Sequence, residues 1–208
     1  MLKYFILILC FITCKIGLLY SKDIREFEVG TNIKNIPEER YTNIRCLDSQ
    51  KELKLWDDFS LCKKRNDDNF YLGFEYDDKY AFNENFEGTQ IAGHPVTINI
   101  AINKKGIIEK ITVNTDPKAP PYFKKQAHLF WMRVYSKYGP KNWECNDIKQ
   151  KENHSIINKK YTNRICEKRI YNKKIIYHTE FYFLNNKEKK EKESLVSRTK
   201  LVISNLNL

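Results

Sequence analysis

The stretch PVTINIAINKKGIIEKITVNT, residues 95–115, admits few conformations. Val96, Ile98, Ile100 and Ile102 alternate with Thr97, Asn99, Ala101 and Asn103. A period of two is the mark of a strand with one buried face. Lys104-Lys105-Gly106 turns the chain, the glycine taking a positive φ at no steric cost. Ile111 and Val113 carry the core face back along the second strand. The stretch therefore predicts an antiparallel hairpin with one face packed and the other wetter.

The flanks extend this reading. In NFYLGFEYDD, Phe70, Leu72, Phe74 and Tyr76 alternate with Tyr71, Gly73 and Glu75, which predicts a strand. Residues 77–94 read as a long polar connection ending in GTQIAGH. PPYFKKQAHLFWMRVYSKYGP reads as a helix over about 120–138. Its two prolines suit a first turn, and Phe123, Ala127, Phe130, Val134 and Tyr138 make an apolar stripe. Gly139 and Pro140 stop it. Three strands are expected near 161–171, 175–184 and 195–204, the last two joined by the charged tip NNKEKKEKES. Residues 22–45 look irregular. SQKELKLWDDFSLC reads as a short helix, with Ser49 and Glu52 in capping-box register and Leu53, Trp56 and Phe59 at helical spacing. The expected fold class is α+β: an antiparallel sheet of the hairpin 95–115 plus C-terminal strands, packed on one main helix, with an irregular N-terminal lobe over 22–69 of a single domain spanning 22–208.

The opening residues set the expected compartment. An apolar run from Tyr4 to Cys14 is interrupted by Lys15, short of the roughly 20 residues that a spanning helix needs. Residues 1–21 read as a signal peptide cleaved after Ser21. An uncleaved anchor and a lipoprotein leader are the competing readings. The second lacks a small residue directly before Cys10 or Cys14. A periplasmic or secreted address follows, with no stable membrane span after cleavage. Four cysteines remain, Cys46, Cys62, Cys145 and Cys166, and an even count in an exported chain reads as disulfides. Of three connectivities, Cys46–Cys62 and Cys145–Cys166 are favoured because each closes a local loop. A four-thiolate zinc site is disfavoured by the absence of close C-x2-4-C pairs. Neither a metal nor a cofactor is expected.

Removing residues 1–21 takes away two lysines and no acid, leaving a formal charge of +9. That charge suits an anionic ligand or an acidic envelope protein as partner. Nucleic acid is not expected, because NFYLGFEY lacks the basic-Gly-aromatic pattern of an RNA-recognition strand. No G-x-S-x-G, phosphate-binding loop, dinucleotide fingerprint or H-E-x-x-H occurs. His94, in AGHPV, is either a general base at the end of the long connection or a residue that fixes its own turn through a backbone bond. His128 reads as a packed helix residue, His154 as a loop residue and His178 as a surface partner of Glu180. The carboxylates Asp67, Asp68, Glu75, Asp77, Asp78, Glu84 and Glu87 lack calcium-loop spacing.

GTQIAGHPVTINIAINKKGIIEKITVNTD, QAH, YSKYG and WEC, in this order, resemble uncharacterised exported proteins of Gram-negative bacteria over roughly residues 27–170. The resemblance implies a periplasmic address and brings no activity. The reading that results is a non-catalytic binding or envelope-accessory protein. Its candidate contact residues are His94, Trp131, Tyr135, Arg198 and Lys200. The alternatives are a small hydrolase or lyase using His94 with a carboxylate from 75–87, and a structural subunit of an envelope assembly.

Overall fold

A computed structural model describes residues 22–77, 89–120, 127–157, 161–184 and 194–206. It contains ten strands: β1 (Tyr41–Cys46), β2 (Phe70–Tyr76), β3 (Gln90–Ile91), β4 (His94–Ile102), β5 (Ile108–Thr115), β6 (Glu144–Asp147), β7 (His154–Ser155), β8 (Thr162–Ile170), β9 (Lys173–Leu184) and β10 (Ser194–Asn205). The one α-helix among the described residues is α1 (Ala127–Tyr138). All pairings are antiparallel, in the order β1-β2-β4-β5-β10-β9-β8-β6, with β3 on β4 and β7 on β9. Half the chain is strand and 14% helix, so the expected α+β class is corrected to a mostly-β fold with a single covering helix.

The correction has identifiable causes. β1 lies in the stretch expected to be irregular. Its register shifts between Thr42 and Arg45, and Asn43 has φ of 51°, so an extra residue breaks the period-two signal. All four residues of β6 are exposed, so it has no apolar alternation to read. The short helix expected over 49–62 is a 3-10 turn, Trp56–Leu61. Ser49 and Glu52 do not cap it: Glu52 pairs with Arg45 through a backbone β-bridge instead, and Asp58 accepts from the Lys54 and Leu55 amides.

The central hairpin, the strand at 70–76 and the three C-terminal strands form as expected. Ile98 and Ile100 on β4 face Val113 and Ile111 on β5, and Ile111 and Val113 face Ile203 and Leu201 on β10. All six are at most 1% exposed. A two-residue turn, Ala92-Gly93, joins β3 to β4 with both residues at positive φ, as a tight hairpin requires. Most of the 185–194 tip lies outside the described residues, as do the carboxylates Asp78, Glu84 and Glu87 and the first turn expected for the helix.

Two pieces of chain cover the apolar face. The segment before β2 lays Phe27, Tyr41 and Trp56 against Phe74, with ring centroids 4.7–5.3 Å from it. What reads in sequence as an irregular lobe is thus a lid on the sheet. Cys46–Cys62 pins it, joining the end of β1 to the residue after the 3-10 turn. Helix α1 covers the other half. It is the connection that leaves β5 at the centre of the sheet and returns at the far edge as β6. Cys145–Cys166 fastens that edge. Both disulfides are the expected pairs, and each stabilises by about 3 kcal/mol on a chain-entropy estimate.

Gly73 allows a close approach on the opposite face. A Cβ there would lie 2.8 Å from Leu47 Cδ2 and 3.1 Å from Asn99 Oδ1. Gly73→Ala is expected to cost about 1–3 kcal/mol in urea unfolding. Introduced on a Leu47→Ala background, the same change should cost clearly less. Equal costs on both backgrounds would remove the contact as the reason for glycine.

Candidate binding site

Phe130 and Val134 occupy one row of α1 and are buried against the sheet, at 1% and 3% exposure. Trp131 and Tyr135 form the adjacent row, one residue on in each case, and look past the core toward β8 and β9. The helix stops at Gly139, whose φ of 78° matches the expected left-handed stop. Lys168 on β8 holds that end, donating Nζ to the Tyr138 and Gly139 carbonyls. A cation at the negative end of a helix is favourable there, and it bonds two carbonyls at the helix end, where the last turn has no intrahelical donors. Trp143 closes the turn, its Nε1 donating to the Gly139 carbonyl at 2.9 Å.

Beyond this latch a pocket of about 760 Å³ opens between α1, the 139–143 turn and the sheet. Trp131, Tyr135 and Trp143 form one wall. The rings of Tyr135 and Trp143 each lie 5.2 Å from Trp131, and Tyr177 lies 4.5 Å from it. The floor is Thr162, Arg164 and Cys166 from β8, Thr179 and Phe181 from β9, and Ser197 from β10. The Cys145–Cys166 disulfide lines one side. Arg164 is bound to Asp147 through two bonds, Nε to Oδ1 at 2.6 Å and Nη2 to Oδ2 at 2.9 Å. This pairing holds the Asp147 carboxyl below its usual range.

The five sequence candidates are not brought together. Trp131 and Tyr135 line the pocket. Arg198 and Lys200 alternate with the inward Thr199 and Leu201, so they lie on the other face of the sheet. There Arg198 binds Glu180 through Nε at 2.6 Å and Nη2 at 3.3 Å. Burial pushes the Glu180 carboxyl up, but the bonds from Arg198 and Tyr182 outweigh it and hold it below the usual range. His178 bonds Asn163 at 2.8 Å rather than pairing with Glu180 as expected. His154 is not a loop residue: it is buried in β7, stacked 4.1 Å from Tyr182.

His94 is fully buried under the helix, its ring facing Phe130. Its Nε2 reaches Thr115 Oγ1 at 2.9 Å and Thr199 Oγ1 at 3.4 Å, and Nδ1 has no partner among the described residues. Among the described residues it has neither the backbone bond to its own turn nor a carboxylate partner. Glu75, on β2, instead accepts from Asn43 and Arg45. Cys46, Cys62 and Asp48 are close enough to suggest a metal site, but both sulfurs are in the disulfide and Asp48 accepts from the Lys63 amide. Sequence reasoning missed Trp143, Arg164, Lys168 and Tyr177. Tyr177 carried a usable signal, an aromatic on the inward face of a strand. No helix of the described residues is long and apolar enough to cross a membrane.

Burial without a counter-ion lowers the His94 pKa from 6.5 to about 4. Between those values the unfolded chain binds a proton that the folded one refuses, so this part of the stability is present above pH 6.5 and lost as pH falls to about 4. Unfolding free energy measured across that window should fall by about 3 kcal/mol more for the unaltered chain than for His94→Gln. Parallel pH profiles would show that His94 titrates normally.

No protein-family model matches the chain, and neither does any curated protein or solved structure.

Proposed function

We propose that this chain is an exported, non-catalytic binding protein that holds a small molecule in the pocket between α1 and strands β8–β10. The observation that carries the reading is the aromatic wall of Trp131, Tyr135 and Trp143 facing a hydroxyl-bearing floor across about 760 Å³. Ligand sites are of this size, largely aromatic and apolar, with a few placed polar groups. The pocket is also built rather than incidental. Lys168, Trp143 and the Cys145–Cys166 disulfide each fix one of its borders. A hydrolytic role for His94 gains no support from a ring sealed beneath the helix, whose partners among the described residues are hydroxyls. The two disulfides and the apolar opening residues support the exported half of the reading.

The uncharged fluorescent probe N-phenylnaphthylamine tests the pocket. It should bind the full chain and quench tryptophan emission. Ser197→Phe, which fills the floor, and Trp131→Ala, which removes wall, should each weaken binding about tenfold or more. Binding unchanged in both variants would place the probe elsewhere and remove the pocket from the proposal. Export has a separate check. The intact protein from its own host's envelope should have the mass of residues 22–208 less four hydrogens, one pair for each disulfide. A mass that retains residues 1–21, or four free thiols, would overturn that half.

A further inference from the structure

We infer that the pocket takes the acyl chain of a single-chain amphiphile, the chain laid along β9 and the polar head left at the Arg164 side. The inference rests on the pocket being the binding site, and three features of that pocket choose the ligand class.

The first is where its polar groups are spent. Thr179 and Thr199 bond the Tyr177 phenol, and Ser197, only 7% exposed, is engaged within the protein as well. The Glu180 carboxylate belongs to the opposite face of the sheet, where Arg198 and the Tyr182 hydroxyl bond it. The inner floor of Tyr177, Thr179, Phe181 and Ser197 therefore offers a ligand neither a charge nor an idle hydroxyl, and apolar contact is what binds there. The other polar side chains lie toward solvent. Arg164 and Asn142 are exposed, and Thr162 is half-buried at the start of β8. Arg164 gives Asp147 two of the five N–H groups of a guanidinium, which leaves three for the oxygen of a head group. An apolar interior with polar groups at its border suits an amphiphile.

The second is the shape of the wall. The Tyr135 and Trp143 rings are inclined 48° and 66° to Trp131, and Tyr177 is inclined 40° to it. Inclined rings offer no flat plate on which one planar ligand could lie across them all. A flexible chain can follow their faces and edges in turn.

The third is length. Tyr177 and Phe181 lie four residues apart on the inward face of β9, about 13 Å at the rise of a strand. Phe183 and Leu195, opposite one another on β9 and β10, continue that face, and Leu195 is 37% exposed. Half the hydrocarbon core of a bilayer, the depth of one acyl layer, is about 15 Å. The apolar floor thus matches one chain.

The test uses the full disulfide-bonded chain and displacement of N-phenylnaphthylamine, with every competitor below its micelle concentration. Octanol, decanol and dodecanol should displace the probe, each added methylene strengthening binding about threefold. Hexadecanoate and palmitoyl lysophosphatidylcholine then separate the sources. Displacement by both means that the chain alone is read, by the first alone a free fatty acid, and by the second alone a membrane lipid. Displacement by neither overturns the inference, as does an affinity that does not rise with chain length. Phe181→Ser should weaken dodecanol about tenfold or more, whereas Lys200→Glu, on the far face, should not. Tyr135 is 37% exposed on a helix, where alanine is favourable, so Tyr135→Ala, expected to cost about fivefold, keeps the test open if Phe181→Ser does not fold. Dodecanol binding that survives both changes overturns the inference. Arg164→Met should weaken hexadecanoate about fivefold and dodecanol less, and equal losses would remove Arg164 as the head contact. Probe binding that no chain displaces overturns the ligand class alone and leaves the pocket standing. Absence of both probe and chain binding removes the pocket reading as well.

Discussion

The chain leaves β5 in the middle of the sheet and re-enters it at the far edge as β6. Antiparallel neighbours can be joined by tight turns, but this connection has to cross β10, β9 and β8. It crosses on the apolar side, where a helix with one buried row repays the crossing by covering Ile175, Tyr177, Leu201 and Ile203. The helix is narrower than the strands it spans. Phe130 and Val134 seal the ground beneath them, and the sheet beyond Trp131 and Tyr135 stays uncovered. The pocket is therefore a consequence of connectivity. The Lys168 latch, the Trp143 turn and the edge disulfide fix its outline.

How much of this was legible followed from how regular each burial pattern is. The 95–115 hairpin was readable because β4 and β5 lie at the centre of the sheet, where every second side chain meets the core. Both disulfides were readable from loop length, since each joins the nearer partner in sequence. β8 was readable as a strand but not as to which side faces in. Its inward residues are Thr162, Arg164, Cys166 and Lys168, which serve the pocket and the helix latch instead of an apolar core. A face that lines a pocket does not alternate in hydrophobicity. The same fact that hid the face of β8 hid the site. Trp131 and Tyr135 could be picked out on a helical row, but Arg164 and Trp143 join them only once β6 and β8 are paired.

His94 shows the opposite failure. A histidine after a long polar connection invites a chemical role, and the fold uses it as an interior residue. The strand it opens runs directly beneath the helix, and its parity places the ring on the same face as Val96 and Ile98. Thr115 and Thr199, on the two strands that follow across the sheet, turn hydroxyls toward it. The polar residues form a small patch in the core where an apolar trio would have served for burial alone. Tyr177 extends the patch to the pocket wall, with Thr199 and Thr179 hydroxyls bonded to its phenol.

The seam between β5 and β10 bears on how the chain reaches this state. β10 follows every other strand in sequence and yet sits at the centre, with the β1-β2-β4-β5 half on one side and the β9-β8-β6 half on the other. Until β10 has emerged, each half ends in an open strand edge and the floor of the core is missing its middle. The contacts that close it join residues about ninety positions apart, such as Ile111 with Ile203. Pairings of that span are slow to form. A ribosome, or a translocation channel, would thus hold a chain that cannot lock prematurely. The architecture contains its own delay, and β10 decides when the sheet closes.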